Sequence, residues 1–175
     1  MKTILTNAFL TLLLAATLRA SPKSSHIVIA GAGEPGQRLV VSGRVLDANG
    51  HGVPNVIMRA YHTDARGLYR ADGRFYSDSA PPRLQGYLRT AADGSYVIET
   101  IRPAPYPNRS TPAHIHFELR SPNAQREYAI LYFADDPLLT AAQRTKLPQA
   151  ICHPLASNGV VHCTRDFHLG KEVDE

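Results

Sequence analysis

The sequence predicts an all-β protein, an antiparallel β-sandwich with long loops and at most one or two short helices. Three observations carry that expectation. Apolar and polar residues alternate with period two in several short runs. Gly and Pro are frequent, 12 and 13 among 175 residues, and they cluster between those runs. No long stretch with helical spacing stands out. With 43% hydrophobic and 19% charged residues, the chain can build one core and has little room for a second.

The elements follow in order. Lys2, the apolar run "AFLTLLLAATL" and the small residue Ala20 read as a secretory signal peptide over residues 1–20. The run is short for a bilayer span, so a membrane anchor is the lesser reading. Cleavage after Ala20 removes Lys2 and Arg19 and no acid, which lowers the formal charge from +4 to +2. That balance, with both signs mixed along the chain, gives no footprint for nucleic acid. Residues 21–36 read as an extended N-terminal arm rich in Ser, Gly and Pro, and residues 37–175 as a single domain. "GAGEPG" lacks the spacing and the following helix of a dinucleotide site.

"LVVSGRVL", the turn-forming "DANGHGVP" and "NVIMRAYHT" read as a β-hairpin. "GYLRTAADGSYVIETI" repeats the pattern around "ADG", with Tyr96 and Ile98 on the apolar side and Ser95 and Glu99 on the polar one. "AHIHFEL" and "REYAILYFADDP" are two further strands, and "CTRDFHLG" is a closing one. "PLLTAAQRTKL" is the best helix candidate, short and amphipathic, with Thr140 as its cap. Cys152 and Cys163 could close a small loop or remain as two buried thiols; the spacing does not decide.

Chemistry concentrates in "AHIHFEL". Side chains of a strand alternate between faces, so His114 and His116 point the same way, about 7 Å apart along the strand. Ile115 and Phe117 point the other way, into the core. Two neutral imidazoles side by side can converge on one metal ion. The plain alternative is a pair of exposed or hydrogen-bonded histidines. Tyr106 lies eight residues upstream, in the proline-bounded "RPAPYPNR", and Tyr69 lies in the loop "DARGLYR". Loops at the edge of a rigid sandwich are common places for sites. The remaining histidines read as surface or structural, with His62 the nearest to the proposed centre. "NRS" matches a glycosylation acceptor, a triplet too common to weigh.

In four stretches the chain resembles the intradiol ring-cleavage dioxygenases, the group that includes protocatechuate 3,4-dioxygenase and catechol 1,2-dioxygenase. These are "GQRLVVSGRVLDANGHGVPNVIMRAYHTDARGLYR", "TAADGSYVIETIRPAPYPNR", "PAHIHFEL" and "ILYFADDPL", in the family's order. The resemblance implies a sandwich of the intradiol type and an Fe(III) cofactor held by Tyr69, Tyr106, His114 and His116. Fe(III) is a hard ion that favours anionic oxygen, and a bound trivalent cation makes ionisation of a phenol favourable. The implied reaction cuts a catechol-type diol with O2 to a cis,cis-muconate. Tyr106 is then the displaced ligand that takes up a proton, and Tyr69 the retained one. The implied partners are a small aromatic diol and O2, with no nucleic acid and no membrane after signal cleavage.

Departures fall on the substrate side. Thr111 stands where many members have an arginine three residues before the first histidine, and Arg109 is the cation available to stabilise charge on a substrate ring. Ile130 stands where protocatechuate enzymes carry a polar Gln, and Asn108 where an aromatic is common. The long N-terminal helical segment through which catechol-type members dimerise has no counterpart in these residues. Any homo-oligomer is therefore expected to use the sandwich surface. With the leader, the expected location is secreted or periplasmic. The competing reading is a non-catalytic β-sandwich binding module of the carboxypeptidase-regulatory or transthyretin-like type. It shares the strand-turn rhythm but needs no meeting of these four side chains. A zinc hydrolase on the same sandwich lacks a recognisable nucleophile or base.

Overall fold

Two sheets face each other across a shared apolar core. The computed structural model describes Pro22 and residues 24–73, 80–107, 109–123 and 126–171. Residues 1–20, read above as a signal peptide, lie outside the described residues, as do Tyr76 and Asn108. The first sheet runs β1 (His26–Val28), β5 (Ser95–Ile101), β2 (Arg38–Leu46), β10 (Val160–Thr164), β9 (Leu155–Ser157), with β11 (Phe167–His168) also paired to β2. The second runs β4 (Leu84–Arg89), β3 (Ile57–His62), β6 (His114–Arg120), β7 (Arg126–Phe133), β8 (Ile151–Cys152). Antiparallel pairs form the frame, and parallel pairs add β1, β8, β10 and β11 to it. The arm thus contributes a strand: β1 lies against β5.

The two expected hairpins do not form. β2 pairs with β5 and β3 pairs with β4 and β6, so each strand-turn-strand segment crosses from one sheet to the other. A period-two pattern says that one face is buried; it does not say which strand is the partner. Arching places Leu39, Val41 and Val45 of β2 opposite Met58 and Ala60 of β3, and all five are buried. The two turns also lean on each other's backbone. A Cβ at Gly52 would lie 1.9 Å from the Asp93 carbonyl oxygen, and one at Gly94 (φ +81°) 2.5 Å from that of Val45. Only glycine allows that approach.

The core between the sheets includes Val41, Met58, Ile98, Phe117, Leu131 and Phe133. Buried Tyr96 satisfies its hydroxyl by donating to the Arg165 carbonyl, 2.6 Å away. Cys152 of β8 and Cys163 of β10 form a disulfide that joins the two sheets, with an S–S distance of 2.06 Å. His62 is fully buried. Its Nδ1–H donates to the Thr63 carbonyl and its Nε2 accepts from the Thr100 hydroxyl, each at 2.7 Å. Burial, opposed by the Thr63 bond, pushes its pKa down to about 4.

The helix α1 (Ala141–Lys146) starts at Thr140, as the sequence suggests. The Thr140 hydroxyl oxygen accepts the Gln143 N–H (3.1 Å) and the Gln143 side chain accepts the Thr140 N–H (3.0 Å), a capping box. The helix itself buries no residue; Leu139 and Leu147 beside it pack on Ile130 and Tyr132. Among the described residues no helix is long and apolar enough to cross a membrane.

Candidate metal centre

β6 is built as its alternation requires. Ile115, Phe117 and Leu119 enter the core, while His114 and His116 project from the other face. His114 donates from Nδ1 to the Pro112 carbonyl at 2.7 Å. A carbonyl only accepts, so Nδ1 carries a proton and Nε2 is the ring nitrogen turned to the site. Such a bond fixes the tautomer and ring plane of a metal-binding histidine. The entry to β6 is clamped by Asp136, whose carboxylate accepts the Ala113 and Leu138 N–H groups, both at 2.8 Å.

His116 is held differently. Tyr61, its register partner on β3, stacks on the imidazole with centroids 4.7 Å apart and planes 14° apart. The Arg59 guanidinium lies 4.6 Å from the centre of the Tyr61 ring and is itself fixed by Glu118 (2.7 Å) and Gln85 (3.0 Å). Burial, then His114 and Arg59, push the His116 pKa down to about 3, which keeps the ring neutral.

The tyrosines come from two loops. Tyr69 follows β3 and is 4% exposed; Tyr106 is half-buried between Pro105 and Pro107. Their oxygens meet at 2.6 Å. Tyr106 Oη lies 3.0 Å from His114 Nε2, which lies 3.0 Å from His116 Nε2. Four donor atoms from three segments thus share one point. Both the Tyr106 hydroxyl and the His116 nitrogen face His114 Nε2, and a cation among the four would take a lone pair from each donor atom. Two phenol oxygens and two imidazoles suit a ferric ion better than zinc's usual ligand sets or the two-His-one-carboxylate set of Fe(II). Among the described residues, no group of three or more His, Cys, Asp or Glu is placed to hold a metal, so a metal here needs the phenols.

Beside the cluster lies an open cavity of about 230 Å³, lined by Gly67, Leu68, Tyr69, Gly73, Tyr106, Pro107 and Arg109. Arg109 is exposed and its guanidinium sits 5.8 Å from the Tyr106 ring centre. Ile130 is not in that lining; it is fully buried on β7 beside β6, opposite His116 in register and on the same face of the sheet. His62 touches none of the four donors and belongs to the interior. Sequence reasoning did not single out Arg59, Tyr61, Asp136 or Asp64. The outward alternation of Arg59 and Tyr61 was visible, but only the β3–β6 register sets them against His116.

Fold and cluster together define a class: a two-sheet sandwich that gathers two hard oxygen donors and two imidazoles between loops and one strand. The comparisons place the chain within it. Residues 17–161 match the family described as Dioxygenase, and the chain belongs to the intradiol ring-cleavage dioxygenases. It is 36% identical to the protocatechuate 3,4-dioxygenase beta chain of Burkholderia cepacia, over 81% of this chain and 65% of that one. It is 29% identical to the chlorocatechol 1,2-dioxygenase of Rhodococcus opacus, over 62% of this chain and 48% of that one. The chain therefore spans less than two thirds of the length of either relative. The dioxygenase domain of a dioxygenase carbohydrate-binding protein fusion from Streptomyces sp. SirexAA-E superposes with a TM-score of 0.69. That match covers 91% of this chain and 95% of that one; at 24% identity it speaks for the fold.

Proposed function

We propose that this protein is an exported Fe(III) intradiol dioxygenase that cleaves a small catechol-type diol with O2 to a cis,cis-muconate-type product. The observation that carries the proposal is the meeting of Tyr69, Tyr106, His114 and His116, with donor atoms 2.6 to 3.0 Å apart in sequence around the cluster. A sandwich that served only to bind a partner has no use for that convergence. Bound ferric iron supplies the Lewis-acid and redox chemistry that lets the diol and O2 react, with both oxygen atoms entering the product.

The chain's own groups do the rest. Tyr69, almost fully buried, is the fixed phenol. Tyr106, half-buried on a loop and hydrogen-bonded to both Tyr69 and His114, is the tyrosine that, ionised when iron is bound, would swing aside and as a phenolate take up a proton from an incoming diol hydroxyl. His116 stays neutral, and both imidazoles keep their Nε2 atoms on the site. The cavity admits a single ring at the Tyr106 side. Arg109 at its rim is placed to stabilise negative charge on that ring. Secreted or periplasmic location is supported by the apolar leader-like segment and by the Cys152–Cys163 disulfide, which suits an oxidising compartment.

The test is an iron analysis of purified protein, with visible spectra and a catechol panel followed by oxygen uptake and muconate formation. A phenolate-to-iron absorption band is expected, weakened by Tyr69→Phe or Tyr106→Phe. A protein that takes up iron and stays colourless refutes the reading. N-terminal sequencing of the mature protein should begin at Ser21; a retained Met1 counts against export.

A further inference from the structure

The two loops that carry the phenols are joined by a backbone seam in which neither phenol oxygen takes part. Gly67, two residues before Tyr69, has φ +80° and packs on the Tyr106 loop. A Cβ there would lie 2.1 Å from the Pro105 carbonyl oxygen and 3.0 Å from Pro107 Cδ. Both the φ and the space exclude other residues. Just upstream, the Asp64 carbonyl accepts the Ala104 N–H at 3.1 Å, and the Thr63 hydroxyl donates to the Ala104 carbonyl at 2.7 Å. Thr63 and Asp64 are both buried.

Asp64 also fixes its own loop. One carboxylate oxygen accepts the Arg66 and Leu68 N–H groups at 2.9 and 3.1 Å, and the other accepts the Arg66 guanidinium at 2.9 Å. Its backbone N–H donates to the Leu68 carbonyl at 2.9 Å, and its carbonyl accepts the Gly67 N–H at 3.0 Å. Burial works to raise the Asp64 carboxyl, but the Leu68 and Arg66 bonds outweigh it and hold the group ionised. Downstream, the Arg83 N–H donates to the Tyr69 carbonyl at 2.9 Å. Each loop alone is irregular; backbone contacts tie them together at residues 63–67 and 104–105.

We propose that this seam is a positioning device: Thr63, Asp64 and Gly67 set the separation of the Tyr69 and Tyr106 oxygens without touching either, and so set how tightly the site holds ferric iron. The inference rests on the ferric reading of the site. With backbone contacts fixed within a few residues of each phenol, the seam sets where the two side chains start, and only their own torsions are left to move the oxygens.

The experiment uses the full chain and ferric iron alone. Iron affinity is measured by chelator competition, with the phenolate-to-iron band and thermal unfolding read on the same samples. Gly67→Ala, and Thr63→Val as the milder change, should each weaken iron binding by about 10-fold, the lower end of what supporting contacts around a metal contribute. The band should shift or fade, and Thr63→Ser should restore both. If Gly67→Ala does not fold, Thr63→Val decides, since it removes one hydroxyl at nearly constant volume. Variants that fold, bind iron as tightly as wild type and keep the same band overturn the seam alone. A wild-type protein that takes up no iron overturns the ferric reading, and the seam's role with it.

Discussion

Arg109 and Tyr106 stand beside each other at the cavity yet do different work, and single substitutions should separate them. On the proposed function, Arg109→Ala removes the cation lining the cavity, so kcat/KM should fall by about 10-fold or more while the phenolate band stays as in wild type. Tyr106→Phe removes a donor, so the band itself should weaken. Equal spectral losses in both would place Arg109 among the groups that hold the iron. Among interior residues, His62 governs a pH effect. Its folded pKa, about 4, lies below the ordinary value of 6.5, so the unfolded chain takes up the proton first as pH falls. Its contribution is therefore flat above pH 6.5 and is lost as pH drops toward 4, by about 3 kcal/mol in total. Denaturant unfolding between pH 7 and 4 should show that slope, and His62→Gln should reduce it, leaving the share of His116, whose pKa is also pushed down, to about 3. An unchanged slope would move the titration to another group.

At the scale of elements, β6 is the strand that matters most, because its two faces serve different ends. Its core face is anchored by Ile115, Phe117 and Leu119; its other face carries the imidazoles. What fixes its start is Asp136, reaching back from the β7–α1 connection to the Ala113 N–H. Asp136→Ala leaves two backbone N–H groups without that partner and should cost about 1–3 kcal/mol. It should also loosen His114 and lower iron retention. A full stability loss with iron affinity intact would confine Asp136 to folding. The helix and its cap were legible because capping is local: Thr140 and Gln143 are three residues apart. The strands were legible for the same reason. Their partners were not, and the two segments read as hairpins became arches between sheets, because alternation fixes a buried face and leaves pairing to long-range packing.

Across the whole molecule, the Cys152–Cys163 bond fastens the second sheet to the first close to the C-terminal strands. The double variant Cys152→Ser/Cys163→Ser should lose about 2–4 kcal/mol, the usual range for removing a disulfide that closes a loop of this order. Thermal unfolding of the oxidised protein against the double variant measures it. Because β8 and β10 lie on the far side of β7 and β2 from the tyrosine loops, the variant's phenolate band at low temperature should match wild type. Loss of colour in the folded variant would show that the two sheets transmit strain to the site.

The residues alone determined the fold class and the β6 alternation that turns His114 and His116 to one side, and the family resemblance added Tyr69 and Tyr106 to them as expected ligands. Those properties are local, or travel with motifs a few residues long. Tertiary structure alone decided that the hydroxyls of Tyr69 and Tyr106, 37 positions apart, come within 2.6 Å of each other, that Tyr61 stacks on His116, and that the two cysteines meet. Each of those depends on which strands pair and which loops touch. Such contacts are fixed by burial across the core and by close backbone approach at glycines such as Gly52 and Gly67, neither of which is written in the spacing of any one segment.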